Sequence, residues 1–87
     1  MTMPSTTGIC LDMSRTTYDV LAYYVSEPGE WSMRAIAEDM GGDHSSIRYH
    51  GRKLRELGLI EKRAGFRNLF PTPAGERLMA DRLRGAA

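Results

Sequence analysis

The chain has a single cysteine, Cys10, among 87 residues, so no disulfide can close within it and a stapled secreted scaffold is excluded. Between Ile9 and Leu11, Cys10 reads as a small apolar filler. Apolar runs are short as well, and none approaches the roughly 20 residues that carry a helix across a bilayer. With no leader-like segment in the sequence, the expectation is a cytoplasmic protein without a membrane partner. Histidine is scarce, with only His44 and His50. They are six positions apart on different faces of one helical stretch, and no cysteine or carboxylate completes a zinc spacing. Neither a metal nor a cofactor is expected. Catalysis lacks its parts too: no nucleophile stands with a base, no carboxylate pair shares a face, and Gly41-Gly42 reads as a helix stop, not a phosphate loop. The chain is therefore not expected to be an enzyme.

Charge of one sign also seems to be missing, because 12 Lys and Arg against 11 Asp and Glu leave a net charge of +1. Along the chain the balance is far from even. Residues 1–43 hold Arg15 and Arg34 against Asp12, Asp19, Glu27, Glu30, Glu38, Asp39 and Asp43, a net −5. Residues 44–67 hold Arg48, Arg52, Lys53, Arg55, Lys62, Arg63 and Arg67 against Glu56 and Glu61, a net +5. One sign concentrated in one segment marks either a surface that faces phosphates or a merely solvated helix face.

The apolar spacing organises the rest. A loose arm over residues 1–13, with Pro4, Gly8 and several hydroxyls, is set apart from a body over 14–87. Its apolar stretch Ile9 to Leu11 is a candidate strand or dimer contact. Tyr18, Leu21, Ala22 and Val25 follow a helical period from about Thr16, where Thr16 and Asp19 resemble a capping pair, and Glu27 to Glu30 ends this first helix. Ser32 caps a second helix with Met33, Ile36, Ala37 and Met40 on one face, and Gly41-Gly42 stops it. Asp43 then caps a third helix over His44 to Leu57, ended by Gly58. The turn between the second and third helices is only about three residues long, the length a helix-turn-helix requires.

At roughly 100° per residue, Arg48, Arg52, Arg55, Ser45 and His44 share one side of the third helix, and Ile47, His50, Leu54 and Leu57 lie opposite. His50 is expected to be a partly buried, hydrogen-bonded histidine of the apolar face. Leu59 to Arg63 and Arg67 to Phe70 read as a hairpin around Ala64-Gly65-Phe66, with basic residues at its tip. Thr72 and Pro73 open a last helix whose buried side is Leu78, Met79 and Leu83. Tyr18, Tyr23, Tyr24 and Trp31 read as core or interface aromatics.

Four stretches carry a resemblance over about residues 16–84: MRAIAEDM from Met33, SSIRYH from Ser45, LRELGLI from Leu54 and TPAG from Thr72. In this order the chain resembles the winged helix-turn-helix domains of MarR-like and ArsR-like transcriptional regulators. The resemblance implies a mainly α fold with a small β-hairpin wing, and a regulator of transcription, repressors among them. Gly51 departs from that pattern, since such domains commonly carry leucine there. It implies either close packing by a neighbouring helix or a helix that orders fully on DNA. A second departure is the lack of a ligand-binding extension or long dimerisation helix, which leaves any small-molecule effector unassigned.

Independently of the likeness, an α-helix fits the major groove of B-DNA and arginine can hold guanine O6 and N7 bidentately. Ser45, Arg48, Tyr49 and Arg52 are the expected base readers in double-stranded DNA. Ser46 joins Ser45 at the favourable helix N-terminus, and Arg55 is expected on the DNA backbone. Lys62, Arg63 and Arg67 would meet phosphates or the minor groove, as wings do in the domains this one resembles. A homodimer on two half-sites is the expected assembly. The competing expectation is a winged-helix module for protein contacts, its arginines solvated.

Overall fold

The computed structural model describes residues 13–86, with side chains to residue 84. The proposed N-terminal arm lies outside the described residues, Cys10 included, except for Met13, which is buried in the core. The elements in chain order are α1 (Arg15–Ser26), α2 (Met33–Met40), α3 (His44–Glu56), β1 (Ile60–Glu61), β2 (Phe70–Pro71) and α4 (Pro73–Ala86).

Each helix starts where a short polar side chain accepts a hydrogen bond from an amide that the helix leaves unpaired. Ser14 does this for α1, accepting from the Thr17 amide at 3.2 Å. The cap is thus Ser14 and not Thr16, and α1 begins slightly earlier than its apolar spacing predicts. Ser32 accepts from Ala35 at 3.0 Å and Asp43 from Ser46 at 3.1 Å, opening α2 and α3 as expected. Thr72 caps α4, accepting from the Gly75 amide at 3.1 Å while its hydroxyl donates to the Gly58 carbonyl at 2.6 Å. One threonine therefore joins the end of α3 to the start of α4. Between α2 and α3 only Gly41 adopts the left-handed conformation, with φ 68°. There its amide donates to Glu38 and that of Gly42 to Ala37, closing the turn.

The core lies where α1, α2 and α3 converge. Val20, Leu21 and Tyr24 of α1 meet Ile36 and Ala37 of α2 and Ile47 and Leu54 of α3, with Leu59, Ile60 and Met79 closing the side towards the hairpin and α4. Each fully buried aliphatic side chain contributes about 1.5–3 kcal/mol. Gly51 is buried in this packing, and the end of Met33 from α2 lies over it: a Cβ there would lie 2.5 Å from Met33 Cε, so a larger residue would have to push that flexible side chain aside. Tyr23 also ties α1 to α2, its hydroxyl donating to Asp39 at 2.5 Å while its ring meets Trp31 edge-on at 4.7 Å. The bond to Asp39 is the main reason the phenol's pKa is raised.

Two expectations are corrected. Leu83 does not share the buried side of α4: Met79 is in the core, but Leu83, one turn further on, is 67% exposed, uncovered by any of the described residues. The hairpin is also far shorter in paired backbone than the expected strands over Leu59 to Arg63 and Arg67 to Phe70. Only Ile60↔Pro71 and Glu61↔Phe70 are paired, antiparallel, with one flanking bond from the Thr72 amide to the Leu59 carbonyl at 3.0 Å. Residues 62–69 form the connecting loop.

Tyr24 is fully buried, and its hydroxyl has no hydrogen-bond partner among the described residues. Burial pushes its pKa from 10.0 up to about 12. The native state therefore keeps the phenolic proton after the unfolded chain has begun to lose it. This contribution to stability is complete below pH 10 and fades as pH rises towards 12. Tyr24→Phe removes an unsatisfied buried hydroxyl, with an expected gain of about 1 kcal/mol at neutral pH. Urea unfolding across pH 7 to 12 should also show a shallower alkaline loss in the variant.

Candidate nucleic-acid interface

A helix of 13 residues with two unlike faces builds the site. Ile47, Gly51 and Leu54 of α3 are buried, and His50 and Leu57 are half-buried beside them. His50 Nδ1 lies 2.8 Å from Thr17 Oγ1, itself 3.0 Å from Ser14 Oγ. The three side chains form one chain of hydrogen bonds, whose direction follows the tautomer of His50. The histidine on the apolar face is thus hydrogen-bonded as expected, and the bond runs to the N-terminal turn of α1. It fixes α3 against α1 at mid-length, with Asp43 holding its start.

With that side held, Ser45, Ser46, Arg48, Tyr49, Arg52 and Arg55 are all exposed. Among the described residues none of the three arginines has a carboxylate in ion-pair range. Tyr49 is 58% exposed, and its ring meets that of His50 edge-on at 5.2 Å. The exposed ridge divides into two edges. Tyr49 and Arg52 line a shallow cleft with Lys53, Glu56 and Leu57. Arg48 faces the other way, sharing a cleft of about 270 Å³ with His44, Met33 and Arg34.

Arg34 and His44 were missed as interface candidates. Arg34 belongs to the acidic half of the sequence, but its position in the first turn of α2 brings it beside Arg48. His44, which lacks the partners of a zinc spacing, lies on the arginine side of α3 in the same cleft. Arg34 pairs with Glu38 at 3.5 Å, but both side chains are well exposed, and such a pair is worth at most about 1 kcal/mol. Among the described residues no cluster of three His, Cys, Asp or Glu could hold a metal, and no helix is long and apolar enough to cross a membrane.

On the hairpin, Lys62, Arg63 and Arg67 are exposed, but they are not equivalent. Arg63 folds back over its own hairpin, with Nε 3.1 Å from Glu61 and the guanidinium 4.4 Å above the Phe70 ring. Lys62 and Arg67 have no such partner among the described residues.

No protein-family model matches the chain, and no curated protein matches it in sequence. Among solved structures it is similar to MepR, a transcription regulator of the Staphylococcus aureus multidrug efflux pump MepA, with a TM-score of 0.71 and 17% identity. The likeness covers 87% of this chain and 63% of that one, so the chain spans less than two thirds of the neighbour. At this identity the likeness establishes the fold. The chain is a winged helix-turn-helix domain, mainly α with a two-stranded wing, the fold expected from its four sequence stretches.

Thr17→Val removes the hydroxyl that bonds His50 while keeping the side chain's shape. The expected cost is about 1–2 kcal/mol of stability, since a buried hydrogen bond is lost without a cavity. Urea unfolding at neutral pH measures it.

Proposed function

We propose that this domain binds double-stranded DNA sequence-specifically and regulates transcription, with α3 in the major groove and the hairpin as its wing. The observation that carries the reading is the bare cationic ridge of α3, presented on a helix whose opposite face is locked into the core. Exposed arginines without carboxylate partners are available for guanine edges and phosphates. Ser45, Arg48, Tyr49 and Arg52 read bases in this account. Ser46 and Arg55 hold the DNA backbone, and Arg34 and His44 flank Arg48 where the strand would pass. Lys62 and Arg67 supply the wing's charge to phosphates or the minor groove, while Arg63 mainly supports the shape of the hairpin. Two copies on paired half-sites would multiply the modest affinity of one small domain. A cytoplasmic location suits this role, and the reading includes no catalysis.

Selection of bound duplexes from a random library, with the mass of the complex measured alongside, tests the reading. The expected result is an enriched motif of two related half-sites and a complex containing two chains. Affinity should fall steeply between about 50 and 200 mM salt. A chain that binds no duplex at low salt would leave the protein-contact module as the better account. Within the DNA reading, Arg48→Ala should relax preference at one base position. Lys62→Ala should instead weaken all sequences alike and shallow the salt slope by about one unit. Titrations of matched and mismatched duplexes separate the two roles, and equal losses on every sequence for both variants would contradict them.

A further inference from the structure

The wing carries an aromatic ring to which the reading above gives no task. Phe66 is 56% exposed, yet it is firmly supported. Its ring meets Phe70 edge-on, with centroids 4.9 Å apart and planes at 77°. Phe70 is itself held on two further sides, by the Arg63 guanidinium and by Gly29, where a Cβ would lie 2.6 Å from Phe70 Cζ. The backbone is fixed on both sides of the ring. The Phe66 amide donates to the Arg63 carbonyl at 3.1 Å, and Asn68 Nδ2 donates to the Gly29 carbonyl at 3.0 Å. An eight-residue loop, 62–69, with no ladder pairing of its own thus becomes a stiff mount that presents an apolar ring to water between two cations, Lys62 and Arg67.

We infer that Phe66 is a DNA wedge: with the wing over the minor groove, its ring enters a base step, partly unstacks it and bends the duplex. The inference rests on the DNA-binding reading and adds a mechanism to it. The minor groove is about 6 Å wide and admits a ring edge-on. Apolar side chains used in this way kink DNA by tens of degrees. Cations on either side can contact the phosphates that line the minor groove, and a pre-fixed ring loses little freedom on insertion. The energetic consequence is selectivity without a hydrogen bond: flexible pyrimidine–purine steps deform most easily and should be preferred beneath the wing.

The test uses a duplex recovered by the selection above, with 2-aminopurine at the steps flanking the α3 site and a fluorophore pair on its ends. Wild-type protein should raise 2-aminopurine emission at one step and shorten the end-to-end distance. Phe66→Ser should lose both signals and bind about ten- to hundredfold more weakly, the range for one stacked aromatic, with its thermal melt unchanged. Phe66→Leu should restore much of both. Arg67→Ala should weaken binding and flatten its salt dependence while the emission rise persists. If Phe66→Ser binds and bends like wild type, the wedge is wrong and the DNA-binding reading stands. If it changes the number of chains per duplex and leaves the bend intact, the ring belongs to a contact between copies and the wedge is again wrong. A wild-type chain that binds no duplex overturns both.

Discussion

Ile47 and Leu54 lie two turns apart on α3, and both are withdrawn from water. Together they fix the rotation of the helix about its axis. Turning α3 by a quarter would expose the two aliphatics, at about 3–6 kcal/mol, and would push arginines into a core that offers them no carboxylate. Burying an unpaired cation costs several kcal/mol more. For a domain of this size those terms rival the whole folding free energy, so the outward cationic ridge is a consequence of the core and not a separate achievement. Gly51 lies on the same side, and the end of the Met33 side chain packs over it.

The charge arrangement acquires its meaning from that rotation. Summed over the chain it nearly cancels, and the segment census assigns Arg34 to the acidic half. In space Arg34 lies beside Arg48 and His44, because α2 crosses the N-terminal half of α3 after a three-residue turn. Its pairing with Glu38 is exposed and weak, so a phosphate carrying a full charge can compete for it. The start of α3 lies at the same place, but there the Asp43 carboxylate already accepts from the Ser46 amide, so the positive potential of this edge comes from the side chains of Arg34 and Arg48.

The three-helix body was legible in the sequence because its signals are local and agree with one another. Apolar period, Ser32 and Asp43 caps and the Gly41 stop each point to the same boundaries. The apolar period begins only at Tyr18 and so places the cap of α1 too late, at Thr16, whereas the helix starts at Arg15 behind Ser14. The hairpin was legible in kind but not in extent. Leu59 to Arg63 reads as a strand, yet the length of a strand depends on where its partner runs, and beyond Glu61 and Phe70 the two sides are not paired. Leu83 fails for a related reason: a helical period shows which side chains share a face, not where the body beneath that face ends. Of the exposed residues expected at the interface, the α3 set follows from the wheel. The loss of Arg63 to its own hairpin depends on Glu61 and Phe70, whose placement the sequence does not fix.

That loss bears on how the wing works. A hairpin with only two paired positions on each strand would fray if left to its backbone, since isolated two-stranded ribbons are marginal in water. Here side chains replace the missing ladder. Arg63 spans Glu61 and Phe70, Asn68 bonds the turn after α1, and Phe70 lies against Gly29. One cation is diverted from direct contact with a partner in return for order in the whole loop. Holding a loop ready avoids roughly 0.5–1.5 kcal/mol for each side chain that would otherwise be immobilised on binding, which exceeds what one solvent-screened arginine ordinarily contributes. Lys62 and Arg67, without a carboxylate partner among the described residues, stand on this supported loop, and the orientation of the wing is tied through Gly29 to the α1–α2 turn, and so to the same body that sets the rotation of α3.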